Sequence, residues 1–235
     1  MGKTIIQQAR GHGSLTYRVK KQAFKYRIQY PRYLEGEGTV IKLLNSRAHS
    51  APLAKIKFAK GTFYTPAAKG MVEGSKISFQ KKAEEIKDGD ILKLGIVPVK
   101  TKVYNIESRP GDGGRFVRTG GNSGVVSRII GENISVLLPS KKEKIFHPEC
   151  RATIGTIAGA GRLDKPLVKA GKNFHIKKSK GGRIWPRTSA LKFNAIDHPF
   201  GSGRGKNPKS KIAQRNAPPG KKVGLIRPRR TGHRK

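Results

Sequence analysis

The sequence predicts a mainly β protein: two small barrels in the middle of the chain, with an extended basic segment at each end. Two observations carry that reading. Short alternating runs of apolar and polar residues recur between Gly38 and Ile157, separated by Gly, Pro and Asp turns. The acidic residues are almost confined to the same stretch. Residues 1–34 carry 8 Lys and Arg and no acid; residues 35–164 carry 22 against 13 acids; residues 165–235 carry 21 against the single acid Asp197. The middle can fold as ordinary domains. The ends have too little apolar surface to offset their chain entropy and are expected to order against a partner.

In the first set, Gly38–Leu44 and Pro52–Phe58 have strand length, Ala59-Lys60-Gly61 forms a turn, and Thr62–Thr65 returns as the next strand. Lys76–Phe79 and Ile91–Leu94 add two more, separated by Asp88-Gly89-Asp90. Five short strands in so short a span predict a small closed barrel. The second set begins after Pro98. Val99–Ile106 alternates, and Gly124–Ile130 and Ile134–Leu138 flank a three-residue hairpin loop, Gly131-Glu132-Asn133. Ile134, Val136 and Leu138 share one face. Lys144–Phe146 and Ala152–Ile157 complete a second barrel, joined to the first near residues 96–106. Then Asp164 is expected to cap a helix with Pro166 in its first turn, Leu167, Ala170 and Phe174 at helical spacing, and Gly181-Gly182 at its end. The expected organisation is a basic N-terminal extension (1–34), a first barrel (35–100), a second barrel (101–164), and a short helix with an extended basic arm (165–235).

A formal charge of +37 on 235 residues implies a polyanionic partner, since such a chain repels itself. Nucleic acid fits best, because each cation that meets a phosphate releases a condensed counterion. A membrane is not expected as a partner: no amphipathic helix with an apolar face and no segment of spanning length is apparent. No apolar run suits a signal peptide, and the single cysteine, Cys150, cannot form an internal disulfide. A soluble, intracellular, reducing setting is expected.

Several motifs invite chemistry. His147 and Cys150 stand at metal-like spacing, but zinc needs a second pair and there is no second cysteine. Gly111-Asp112-Gly113-Gly114 and Gly120-Gly121-Asn122-Ser123-Gly124 can bring backbone N–H groups to a phosphate; they match no nucleotide-binding fingerprint and read first as barrel turns. Asp197-His198 is the one pair that suggests acid–base work, and it lacks a nucleophile elbow. No catalytic residue, metal site or cofactor is therefore expected, beyond magnesium held mainly by RNA.

The residues expected to bind RNA lie at the ends. In the N-terminal segment Arg10, His12, Arg18, Lys20, Lys21, Lys25 and Arg27 alternate with Tyr17, Phe24 and Tyr26. That mixture offers charge to the backbone and rings to splayed bases. In the C-terminal segment they are Lys177, Lys178, Lys180, Arg183, Trp185, Arg187 and His198. They continue through Arg204, Lys206, Lys209, Lys211, Arg215, Lys221, Lys222, Arg227, Arg229 and Arg230. Around His198, the loop residues Asn194, Asp197, Pro199, Gly201 and Gly203 are expected to lie close to RNA, with Asp197 held by N–H groups or a cation.

Ala51–Phe58, Arg109–Gly114, Ala152–Gly171, Asn194–Gly201, Arg215–Gly224 and Arg229–Gly232 stand in an order that covers nearly the whole chain. Taken together, these stretches resemble the family of the large-subunit ribosomal protein conventionally numbered two, in the form shared by archaea and eukaryotes. The resemblance implies an oligonucleotide-binding-type barrel followed by an SH3-like barrel, with basic ends that thread into large-subunit rRNA. It implies other ribosomal proteins as partners, and the small subunit across the intersubunit face, in the cytoplasm and not as a homo-oligomer. It also implies roles in subunit association, tRNA placement and organisation of the peptidyl transferase region. His198 falls on the family's Asp/Glu-His-Pro histidine, which implies a structural RNA contact. The sequence departs from the family pattern at Gly201-Ser202-Gly203 and at Thr188–Phe193. A freestanding RNA-binding regulator and an RNA-processing enzyme built on Asp197-His198 are the alternative readings.

Overall fold

The computed structural model describes residues 3–80, 85–181, 184–203, 212–213, 215–218 and 222–225. The described chain divides into two compact units, residues 20–181 and residues 1–19 with 182–235.

The first unit is mainly β, an oligonucleotide-binding-type module followed by an SH3-like one. Strands β1 (Glu37–Leu44), β2 (Leu53–Phe58), β3 (Gly61–Pro66) and β4 (Lys76–Ser78) form an antiparallel sheet in the order β3-β2-β1-β4. Alternation on these strands buries Val40, Ala54, Ile56, Phe63 and Ile77 in one core. The expected turn at Ala59-Lys60 is there, with Phe58 paired to Gly61. A register shift between Val40 and Lys42 bends β1, as curvature toward closure requires.

The second sheet runs β5-β10-β6-β7-β8-β9, from β5 (Ile91–Lys93), β6 (Lys102–Tyr104), β7 (Gly124–Ile130), β8 (Asn133–Leu137), β9 (Glu143–Phe146) and β10 (Arg151–Ile154). Its core gathers Val103, Val126, Ile134, Val136, Phe146 and Ala152. As expected, Ile134 and Val136 face inward, with Leu138 half-buried. The hairpin loop is one residue shorter than expected, because Ile130 pairs with Asn133 across Gly131-Glu132. Gly131, at φ 58°, supplies the left-handed first position that such a two-residue turn needs.

Three expectations are corrected. Ile91–Leu94 does not close the first barrel: β5 pairs with β10, through Arg151–Lys93, Ala152–Leu92 and Thr153–Ile91. Alternation along β5 gives Ile91 to the first core and Leu92 to the second, so the modules share a strand instead of meeting at a linker. Ala68 bridges Ile157 and the Tyr104 hydroxyl donates to Pro66 O at 3.2 Å, which fuses them further. Second, the N-terminal segment is not wholly external. Ile28 bridges Tyr64, and Tyr30 is fully buried with its hydroxyl against Thr153 Oγ1. Third, Asp164 caps no helix. Helix α2 spans Ala170–Lys180 with Lys169 at its N-cap, and Val168 before it has φ 54°. A β-branched residue in the left-handed region interrupts any helix starting at Pro166. Gly181 ends α2 as expected, its N–H donating to Lys177 O.

A buried ion pair pins this architecture. Glu107 is fully buried and accepts from Arg151 Nη2 at 2.7 Å, from Arg151 N at 2.8 Å and from Gly113 N at 3.0 Å. Arg151 Nη1 donates to Pro31 O at 2.7 Å, tying the incoming chain to β10. The carboxylate and guanidinium thus satisfy each other and the backbone, which makes a buried pair tolerable.

The second unit holds helix α1 (Ile6–Gly11), a 3-10 turn at Ala190–Lys192 and the loop 194–203. Ile5 is its one buried apolar side chain among the described residues. No described helix is long and apolar enough to cross a membrane.

Candidate nucleic-acid interface

The expected RNA-binding residues divide between the units. In residues 20–181, Lys20, Lys21, Lys25 and Arg27 are exposed, next to the buried anchors Ala23 and Ile28. Their backbone is therefore fixed while their side chains point out. Of the four, Arg27 lines a cleft of about 710 Å³, together with Phe24, Tyr26, His49, Arg115, Arg118 and the acid Asp112. Phe24 packs edge-on against His49 at 5.2 Å, Tyr26 lies 5.0 Å from Tyr64, and Lys25 Nζ sits 5.7 Å from the Tyr26 ring. Arg118 is a strut: it donates to Ile28 O at 2.9 Å and to Gly114 O at 3.2 Å. Burial and the Arg118 charge hold the His49 imidazole below its ordinary range. It is then a neutral hydrogen-bonding ring at pH 7, with Nδ1 on Ser46 Oγ at 2.7 Å.

Sequence reasoning missed His49, Arg115 and Arg118, because they lie in the middle of the chain, where cations are interspersed with acids and no composition signal marks them. The glycine clusters are turns whose N–H groups are used internally: Gly113 on Glu107, Gly114 on Asp112, Gly120 on Ser50 Oγ and Gly121 on Ile157 O. Gly114, at φ 91°, lies so close to Asn105 that a Cβ would approach its backbone and side-chain oxygens to 2.6 Å.

On α2, Lys177 and Lys178 are exposed and Lys180 is half-buried. All three lie in its last turn, where cations complement the helix dipole. The helix buries no residue, so it lacks the apolar face by which such a helix usually docks on its own protein.

In the second unit Arg10 is half-buried, His12 and Arg18 are exposed, and Arg18 Nε donates to Gly13 O. Trp185 is half-buried and Arg187 exposed; Arg215 and Lys222 are exposed, with Lys222 Nζ donating to Arg215 O at 3.5 Å. Arg183, Arg204, Lys206, Lys209, Lys211, Lys221, Arg227, Arg229 and Arg230 lie outside the described residues.

The His198 loop is held by its own backbone. Asp197 and His198 N–H both donate to Asn194 O, Gly201 N–H to His198 O at 2.8 Å, and Ser202 N–H to Phe193 O. A Cβ at Gly201 would collide with Asn194 O, so the turn requires glycine there. Gly203 is open and left-handed, at φ 106°. Asp197 meets a cation, Lys3 Nζ at 3.7 Å. The His198 ring lies between Phe193, stacked at 6.2 Å, and Phe200, tilted at 4.8 Å. Its Nδ1 accepts from Phe200 N–H at 3.1 Å, and burial lowers its pKa. A catalytic dyad needs Nδ1–H to donate to the acid. Here Nδ1 is an acceptor and the carboxylate faces a lysine.

His147 Nδ1 likewise accepts from Glu149 N–H at 3.2 Å. Cys150 is buried, its N–H donating to His147 O, and burial pushes its thiol up to about 11. Among the described residues no group of three or more His, Cys, Asp or Glu could hold a metal.

Residues 87–220 match the family model described as Ribosomal Proteins L2, C-terminal domain. Over the full length of both chains, the sequence is 43% identical to the large ribosomal subunit protein uL2 of Archaeoglobus fulgidus. It is 43% identical to that of Methanococcoides burtonii and 44% identical to that of Methanococcus vannielii, again over full length. The match spans both β modules, both basic ends and the His198 loop, and the chain belongs to the L2 family of ribosomal proteins, in its archaeal type.

Proposed function

We propose that this chain is a structural constituent of the large ribosomal subunit that binds large-subunit rRNA through its basic ends and the cleft beside Phe24. There it supports subunit association, tRNA placement and the organisation of the peptidyl transferase region. Its partners are rRNA, other ribosomal proteins and, across the intersubunit face, the small subunit; it works in the ribosome, in the cytoplasm. The observation that carries this reading is the split of charge and burial. The described residues of the second unit bury one apolar side chain, while its sequence, residues 1–19 and 182–235, bears 18 cations against one acid. Such a segment gains order by neutralising phosphates and releasing their counterions.

The chain is not an enzyme. His198 is a neutral planar ring in a fixed loop, suited to stack on a nucleotide or hydrogen-bond to it. In fully assembled subunits His198→Gln, which keeps a planar polar group, should therefore be tolerated better than His198→Ala. Equal loss for both, with an altered pH–rate profile of peptide bond formation, would show proton transfer instead.

Salt dependence tests the main reading. With about eight phosphates neutralised, the log–log slope of affinity against salt should be roughly −6 to −7, and deleting residues 201–235 should flatten it. An unchanged slope would remove the arm from the interface. A freestanding regulator would be washed from large subunits by moderate salt, whereas a constituent should cosediment with them in unit stoichiometry.

A further inference from the structure

Within the second unit, α1, the chain after it and the segment 184–198 enclose a second cleft, of about 260 Å³. Ile6, Ile184, Pro186 and Ala190 give it apolar walls, Tyr17 and Phe193 bring rings, and His198 closes one side. Gln7, Thr16 and Thr188 also line it, as do Arg10 and Arg187; no described carboxylate does. We propose that this cleft takes a single unpaired nucleobase of RNA, stacked on its rings and read at its edge by Gln7, Thr16 and Thr188.

Size, chemistry and charge each narrow the occupant. Pockets for drug-sized ligands run to roughly 300–1,000 Å³; this one suits one ring system, not a run of nucleotides. A phosphate would strand its oxygens against isoleucine and proline, whereas a base offers a π-face to Tyr17 and Phe193. Its edge needs groups that can both donate and accept, which the glutamine amide and the two threonine hydroxyls are. The two arginines can then stack on the ring or hold the flanking phosphates. The walls are already in place: His198 lies parallel to Phe193 within 18°, and backbone N–H bonds to the carbonyls of Asn194, His198 and Phe193 hold the loop that carries both rings. Little ordering cost remains for the base.

The inference rests on the RNA-binding reading and adds base recognition to it, so the test separates the two. The full chain is titrated, at two salt concentrations, with three single-stranded probes of equal phosphate number: oligo(A), oligo(U) and an abasic ribose-phosphate chain. Base-bearing probes should bind about 5- to 150-fold tighter than the abasic one, the range expected for one stacked base. Tyr17→Ala, which removes a ring, and Ala190→Trp, which fills the cleft, should each abolish that preference. Both should leave abasic binding and its salt slope intact, and Tyr17→Phe should keep the preference. Equal binding of all three probes by the unsubstituted chain overturns the base pocket and leaves phosphate neutralisation standing. A preference undiminished in both Tyr17→Ala and Ala190→Trp also overturns it. Salt-independent or absent binding of every probe overturns the RNA-binding reading together with the pocket.

Discussion

The two units solve the problem of high positive charge in opposite ways. Residues 20–181 bury continuous apolar cores and pair a fully buried carboxylate, Glu107, with the nearly buried Arg151. The described residues of the other unit bury Ile5 and little else, and hold their shape through short backbone turns and stacked rings. The first unit is stable by its own packing and carries cations on a fixed surface. The second is preshaped but under-packed, and on the proposed function a polyanion supplies what a core would.

Proteolysis of the RNA-free chain should show the largest contrast. Cleavage should leave a resistant fragment near residues 20–181 and degrade the rest, because accessible unpacked chain is cut first. A resistant fragment that retains residues 1–19 and 184–203 would erase the distinction. Next in size, Glu107→Ala should destabilise the chain by about 3–5 kcal/mol in denaturant unfolding, since it strands a nearly buried guanidinium. Ile5→Ala should cost about 1 kcal/mol or less, as at a site with little core around it. Comparable losses would mean that the second unit is packed like the first.

How far this contrast can be read from sequence depends on which interactions are local. Hairpins such as Leu53–Pro66 and Gly124–Leu137 are legible because turn residues and alternation lie within one window. The charge imbalance of the ends is legible because it is a sum. The partner of β5 is not, since Ile91 and Leu92 are both apolar on opposite faces and only the assembled fold shows which core each face meets. Tyr30 hides for a similar reason: it lies in the basic N-terminal segment, and its burial depends on contacts such as that of its hydroxyl with Thr153, over a hundred residues away. In the candidate interface, Arg118 and His49 escape notice because the chain brings them beside Phe24 only on folding.

Two smaller effects sharpen the picture of the first unit. Cys150 is buried and its thiol is pushed up to about 11, so little thiolate exists at neutral pH. Alkylation should be slow in the native chain and become fast only as residues 20–181 unfold, which makes the thiol a reporter of that unit alone. Ready labelling without unfolding would place Cys150 outside the core. The smallest effect is on pH. His49 is held below its ordinary value of 6.5 by burial and by Arg118. The neutral ring costs nothing above that value; as pH falls below it, the unfolded chain takes up a proton first and stability declines. His49→Gln should flatten the stability profile on the acid side of about pH 6.5. An unchanged profile would assign the decline to carboxylates.

The strand shared by the two modules also bears on how the chain is made. β5 supplies Ile91 to the first core, yet its hydrogen-bonding partner, β10, ends at Ile154. A nascent chain therefore cannot complete its first module when that module's own sequence has emerged. The edge of β5 waits unpaired while some sixty further residues are synthesised, and the two modules close in one late step. During that interval a highly cationic polypeptide has an open strand edge, when both RNA and other nascent chains are at hand.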